Sequence, residues 1–181
     1  MSTIKKQQLE KESLLTANEV KKLLHYDPET GFFTWLCDPF TGPRRKGTIA
    51  GVIGSFGYRS IKIAQIKYMA HRLAWLVTYG SWPIFDVDHI NGRQDDNRIE
   101  NLREASRSEN CANRHLESFG VSGFKGVFWN KKLGKWQVGL KKGKLRKHVG
   151  LFSDLNEAKA AYVREAEKFF GRFARKNNER I

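Results

Sequence analysis

Residues 85 to 110 leave the chain few ways to fold locally. Phe85-Asp86-Val87-Asp88 has the composition and alternation of a strand, and Ile90-Asn91-Gly92-Arg93 reads as a turn, because Asn-Gly tolerates positive φ at low steric cost. A polar loop from Gln94 to Glu100 leads to a second short strand, Leu102-Arg103-Glu104-Ala105. Ser106 and Glu109 then form a capping box, in which a hydroxyl and a carboxylate each take a backbone N–H that the helix start leaves unpaired. A helix therefore opens there and carries Asn110 in its first turns. The order strand, loop, strand, helix is a ββα unit. Neighbouring side chains of a strand face opposite ways, so Asp88 and His89 serve one site only if the strand ends or twists between them. The Asn-Gly two residues on supplies that ending.

The residue types in this unit suit phosphodiester hydrolysis. A hard divalent ion such as Mg²⁺ prefers oxygen ligands, and a carboxylate (Asp88) with an amide oxygen (Asn110) can hold it while leaving positions for phosphate oxygens. A neutral imidazole takes a proton from water near pH 7, which makes His89 the general base. Asn101 offers donor and acceptor in one amide and suits pinning the loop so that His89 faces the scissile group. Asn91 and Asn97 read first as turn caps, the usual work of asparagine in a polar loop. His71, at the start of a helix, reads as a structural hydrogen-bonding residue; His71 and Asn97 stand as supports behind the site.

Charge names the partner. The chain carries a formal +14 over 181 residues with a pI near 9.9, a balance that calls for a polyanion, and nucleic acid is the common one. A membrane surface is the competing reading, but no apolar run approaches the roughly 20 residues that span a bilayer, and the N-terminus is too polar for a signal peptide. A soluble, cytoplasmic protein is expected. Only Cys37 and Cys111 are present, so neither a disulfide framework nor a cysteine zinc knuckle can form, and any metal is held by oxygen and nitrogen. From Gly120 onward there are 16 Lys+Arg against 5 Asp+Glu, whereas residues 1 to 119 carry 17 against 14. The basic end reads as an electrostatic anchor, and the nearly neutral part holds the acidic groups a catalytic cation needs.

In chain order, residues 1–13 are polar and read as a mobile tail. Residues 14–69 hold a helix and a β-meander: Thr16-Ala17-Asn18-Glu19 is a capping box for a helix to about His25, Phe32-Phe33-Thr34-Trp35 suits a strand, and short strands broken by Gly51, Gly54 and Gly57 fill 48 to 70. The loop through Pro39, Gly42, Pro43 and Arg44-Arg45-Lys46 is basic, a solvated loop or a phosphate contact. Residues 70–116 form the ββα unit, led by a helix from Ala70 to Tyr79 that stops at Gly80. Residues 117–122 are a linker. In residues 123–176, Lys125 to Trp129, Lys135 to Lys141 and Arg146 to Phe152 read as three strands, and Asp154 opens a helix that runs to Phe170. Trp136, Val138 and Leu140 alternate with Lys135, Gln137, Gly139 and Lys141, so one face of the sheet is apolar and the other polar or basic. Leu155, Ala158, Tyr162, Ala166 and Phe169 recur at helical spacing and would lie on the apolar face. The open basic face can then enter a DNA groove, with Lys and Arg on phosphates. The fold class is α+β, with no obligate protein partner evident.

Two resemblances stand beside this reading. Asp88-His89-Ile90-Asn91-Gly92, Asp96-Asn97-Arg98-Ile99-Glu100-Asn101-Leu102-Arg103, Ser108-Glu109-Asn110 and Asn113-Arg114, with His71-Arg72-Leu73 upstream, closely resemble the HNH endonuclease family in its phage homing-type form. The resemblance implies Asp88 and Asn110 as metal ligands, His89 as general base and Asn101 as the loop-orienting residue. Asn110 stands where many members have His, which favours Mg²⁺ or Mn²⁺ over zinc or nickel. Gly126-Val127, Lys135-Trp136, Val149-Gly150-Leu151-Phe152, Glu157-Ala158, Ala161-Tyr162 and Phe170-Gly171 resemble the Apetala/ethylene-response-factor DNA-binding domain. That resemblance implies Lys125, Phe128, Asn130, Lys141, Arg146 and His148 as DNA-facing; Phe128, Asn130 and His148 stand where plant members commonly carry Arg or Trp, so their target sequence does not transfer. The combined expectation is a metal-dependent DNA endonuclease acting on duplex DNA, in the host cytoplasm if phage-encoded. Its rivals are a sequence-specific DNA-binding regulator with a vestigial nuclease unit and an RNA-binding accessory protein, which would prefer single strands or RNA.

Overall fold

A computed structural model describes residues 3–38, 46–107, 109–110 and 121–174, with side chains from residue 7 onward. The capping box at Thr16 forms: Thr16 Oγ1 accepts the Glu19 N–H while Glu19 Oε2 accepts the Thr16 N–H at 2.7 Å, and helix α2 (Ala17–Leu23) follows. The opening of the chain, expected as a tail, is helix α1 (Thr3–Glu12). Its last residue is the reason. Glu12 is only 5% exposed, and its carboxylate takes the Nε and Nη2 of Arg72, the latter at 2.8 Å. Tyr68 donates to the Lys11 carbonyl and Trp82 to that of Leu15, so the junction from α1 into α2 is held along its length.

The second helix ends two residues earlier than expected. Leu24, buried against Trp35, is the first residue of β1 (Leu24–Tyr26), which pairs antiparallel with β2 (Phe33–Trp35). The burial gained in that pairing outweighs helix propensity, a weak preference. Between these strands Gly31 adopts φ +74, and a Cβ there would lie 2.4 Å from the Arg98 nitrogen. Only glycine lets this turn back onto residues 97–98. The expected meander is a three-stranded antiparallel sheet, β3 (Val52–Ile53), β4 (Arg59–Ile63) and β5 (Ile66–Met69), in that order. Helix α3 (Ala70–Tyr79) leaves it directly and stops at Gly80 in the left-handed region, and β6 (Asp86–His89) pairs with β7 (Leu102–Ala105).

These elements share one core, in which Val20, Leu24, Phe33, Ile61, Leu73, Leu76, Val87 and Leu102 pack together. Contacts divide the chain into Met1–Glu104 and Ala105–Ile181. The segments expected as separate units at 14–69 and 70–116 are thus joined as far as Glu104, because the sheet and helices upstream supply the apolar surface that the β6–β7 pair is too small to bury against itself.

In the second unit Ser106 and Glu109 make their capping box, the Ser106 N–H reaching Glu109 Oε2 at 2.9 Å and the Glu109 N–H reaching Ser106 Oγ. The Asn110 N–H donates to the Ser106 carbonyl, one helical turn back. Most of the expected linker, Ser108, Asn113 and Arg114 of the HNH resemblance, Cys111, and the basic loop through Arg45 lie outside the described residues. Ser122, counted into the linker, is buried and donates to the Val127 carbonyl. Strands β8 (Val127–Asn130), β9 (Lys135–Lys142) and β10 (Leu145–Phe152) form an antiparallel sheet in the order β10-β9-β8. Helix α4 (Leu155–Phe170), capped by Asp154 through the Asn156 and Glu157 N–H groups, packs Ala158, Tyr162, Ala166 and Phe170 against Val127, Val138 and Leu140. Gly126 must be glycine: a Cβ would meet the Gly139 carbonyl at 2.4 Å and the Tyr162 ring at 2.6 Å.

Candidate active site

Strand β6 ends at His89, and a ring of amides closes the loop behind it. The Ile90 N–H donates to the Asn101 carbonyl at 2.8 Å and the Asn91 N–H to Asn101 Oδ1 at 3.0 Å. Asn101 Nδ2 donates to Asn91 Oδ1 at 3.1 Å and to the Asp96 carbonyl at 2.8 Å. One side chain therefore ties both ends of the loop, the use for which a group with donor and acceptor is suited. Asn91 caps its turn, accepting the Arg93 N–H, and its Nδ2 reaches Asp96. The Arg98 guanidinium on Asp96, with help from Asn91, holds that carboxyl down at about 2.

Asn97, read first as a turn cap and then as a support behind the site, lies against His89. It is fully buried, and its Oδ1 lies 3.2 Å from His89 Nε2. Its Nδ2 donates to the Asp95 carbonyl, which assigns the amide's orientation and leaves Oδ1 as an acceptor. An amide oxygen cannot donate, so His89 Nε2 carries the proton and the ring's lone pair sits on Nδ1. The Tyr26 hydroxyl donates to the Asn97 carbonyl at 2.8 Å, which adds β1 to the support. Burial lowers the His89 pKa below 6.5, against the opposing pull of the Asn97 bond and of Asp88, Asp96 and Asp95, and so favours the neutral ring.

Two further rings face His89. The His71 ring stands edge-on at 5.1 Å between centroids, and Tyr58 of the β3–β4 hairpin lies 5.8 Å from His89 and 5.5 Å from His71. Burial, then the proximity of His89 and Arg72, keeps the His71 pKa well below 6.5. His71 Nδ1 is buried and has no hydrogen-bond partner among the described residues, so the expected hydrogen-bonding role is not made by that atom. Nothing in the local pattern of Tyr58 marks it for the site; pairing of β3 with β4 brings it there.

Asp88 is buried beside His89, and Arg103 of β7 donates to its Oδ2 from Nε at 2.9 Å and from Nη2 at 2.7 Å. Arg103 therefore joins the site; the sequence marked it by its place in the second strand and in the HNH resemblance, without giving it a role. A carboxylate offers about four acceptor positions, so this fork is compatible with metal ligation through the same group. Among the described residues no three His, Cys, Asp or Glu side chains gather as a metal site. Asp88 and amide oxygens make a donor set for a hard cation that keeps its waters. Asp88, His89, Asn97 and Asn101 surround one loop of the first unit, whereas Asn110 belongs to the second.

A family model described as HNH endonuclease matches residues 68–112. The chain is also 31% identical over 106 residues to Protein 3.8 of Escherichia phage T7, a match covering 58% of this chain and 87% of that protein. The chain belongs to the HNH endonuclease family. The HNH match spans α3, β6, the asparagine-tied loop, β7 and Asn110, so it contains Asp88, His89, Asn101 and Asn110 and ends just short of Asn113 and Arg114. No solved structure matches the chain.

Beyond the HNH match, directly opposed residues place side chains on the two faces of the second unit's sheet. Phe128↔Gln137↔Leu151, Gly139↔His148 and Lys141↔Arg146 share the face opposite α4, with Asn130 beside Gln137 and bonded to it at 3.0 Å. A bulge between His148 and Gly150 keeps Arg146 and His148 on this open face while Phe152 turns to the covered one. Five of the six residues expected to face DNA stand together here. Lys125 does not: it precedes β8, and its Nζ lies over the Phe170 ring at 5.8 Å. No helix among the described residues is long and apolar enough to cross a membrane.

Proposed function

We propose that this HNH protein is a DNA endonuclease of the phage homing type that hydrolyses a phosphodiester with one Mg²⁺ or Mn²⁺ ion. The observation that carries the reading is the Asn97–Asp95 arrangement behind His89. A buried, neutral imidazole with its proton assigned to Nε2 presents a basic Nδ1, the state a general base must hold near pH 7. Nδ1 takes a proton from the attacking water, Asn101 and Asp96 keep the loop from moving the ring, and Arg103 holds the Asp88 carboxylate in one orientation. Asp88 would hold the ion, which when bound would supply Lewis-acid stabilisation of charge on the phosphate and the departing 3′ oxygen. The open sheet face of β8–β10, through Phe128, Asn130, Lys141, Arg146 and His148, holds the duplex in the manner of an Apetala/ethylene-response-factor domain.

Plasmid incubated with the protein, with and without Mg²⁺, tests this. Metal-dependent nicking by the wild type is expected, with His89→Ala losing cleavage by about 10²-fold or more while duplex affinity stays within a few-fold. Metal-independent binding without any cleavage would leave the regulator in its place.

A further inference from the structure

On the reading that His89 serves a phosphodiester, we infer that the β3–β4 hairpin is a wedge that enters the DNA duplex beside the scissile bond, with Phe56 inserted at a base step. Phe56 is 84% exposed at the tip of this hairpin, and Val52 and Ile53 on the adjoining strand are 61% and 55% exposed. The tip is well defined. The Gly54 N–H donates to the Tyr58 carbonyl and the Gly57 N–H to that of Gly54, both at 2.9 Å.

Three contacts tie this tip to the catalytic loop. Arg59 forks onto Asp95 at 2.8 and 2.9 Å, Gly57 lies against the Gln94 side chain, and Tyr58 faces His89. Two residues of extended chain span at most roughly 7 Å and the Tyr58 ring lies 5.8 Å from that of His89, so Phe56 stands a few base steps, of about 3.4 Å each, from the phosphate that His89 would serve. The outside of a duplex is phosphate and sugar; what it offers an aromatic ring is a base face, reached by unstacking a step. A chain with a net charge of +14 is matched to that polyanion rather than to another copy of itself. The wedge would bend the strand toward the imidazole and expose the phosphate to in-line attack.

The test is single-turnover cleavage by the wild type and Phe56→Ala of one duplex, fully paired or carrying a mismatch within a few steps of the mapped cut. Phe56→Ala is expected to cut the paired duplex about 100-fold more slowly, the rate equivalent of one unstacked step, and the mismatched duplex within a few-fold of wild type. A structural role would slow both equally, and equal loss, or no loss, overturns the wedge. Fluorescence of 2-aminopurine tiled through the duplex, read in EDTA, should rise with the wild type and stay flat with Phe56→Ala. That readout decides the wedge even if no cleavage is seen, so the nuclease reading and the wedge can fail separately. Concentration-dependent dimerisation abolished by Phe56→Ala, with unchanged 2-aminopurine signal, would assign the tip to a second copy of the chain instead.

Discussion

Replacing Asn97 with aspartate should move the pH dependence of cleavage in a calculable direction. In the wild type Asn97 Oδ1 accepts a hydrogen bond from His89 Nε2 in a buried site, and burial keeps the ring's pKa below 6.5. A carboxylate in the same place would stabilise the imidazolium. A hydrogen bond to a charged group contributes about 1.5–3 kcal/mol against about 0.5–1.5 for a neutral pair, a difference of about 1–1.5 kcal/mol, or about one pH unit at 1.36 kcal/mol per unit. The base works in its neutral form, so rate is lost as pH falls through the pKa of His89. The acid limb of the Asn97→Asp rate profile should therefore lie about one pH unit above that of the wild type, with the two rates converging toward pH 9. The assay is single-turnover cleavage from pH 5.5 to 9 at saturating metal. A variant that is slower at every pH with an unmoved limb would refute the argument, because it would show that His89 is not the titrating group. Stability follows the same sign: the unfolded state protonates His89 near 6.5 while the folded state resists, so wild-type stability contributed by the neutral ring is present above that pH and is lost as pH falls below it.

Two other outcomes are expected. Glu12→Ala leaves Arg72 buried with, among the described residues, only the Pro83 and Phe85 carbonyls as partners, which should cost about 3 kcal/mol, the low end for a broken buried pair, and lower Tm by about 10 °C in a circular dichroism melt; a loss under about 1 kcal/mol would detach α1 from the fold. The double variant Lys141→Ala, Arg146→Ala should weaken duplex binding and reduce the slope of log affinity against log salt by about 2, one per phosphate contact. Fluorescence anisotropy across a salt series measures it, and an unchanged slope would remove the open sheet face from DNA binding.

Much of the architecture was readable residue by residue. Both capping boxes, the glycine stop of α3, the meander, the β6–β7 pair and the three-stranded sheet with its covering helix follow from interactions between residues three or four apart, or from alternation along a single strand. The residue types of the candidate site are equally local, since Asp88, His89 and Asn101 fall within a short run whose turn and strands set their spacing. What hid from the sequence lay across greater separations. Asn97 in a polar loop looks like any turn cap until Asp95 and Tyr26 orient it, and Tyr58 gains its place beside His89 only when β3 pairs with β4. Glu12 in a charged helix looks solvated until it meets Arg72, 60 residues on.

By itself the order of side chains determined where helices begin, where strands turn and which groups could carry a proton or a cation, because caps and turns are made by near neighbours. The tertiary structure alone decided which nitrogen of His89 holds its hydrogen, which carboxylate Arg103 orients and which aromatic ring stands exposed at the loop's edge. Those depend on partners from different elements meeting in one place, and no local pattern encodes such a meeting.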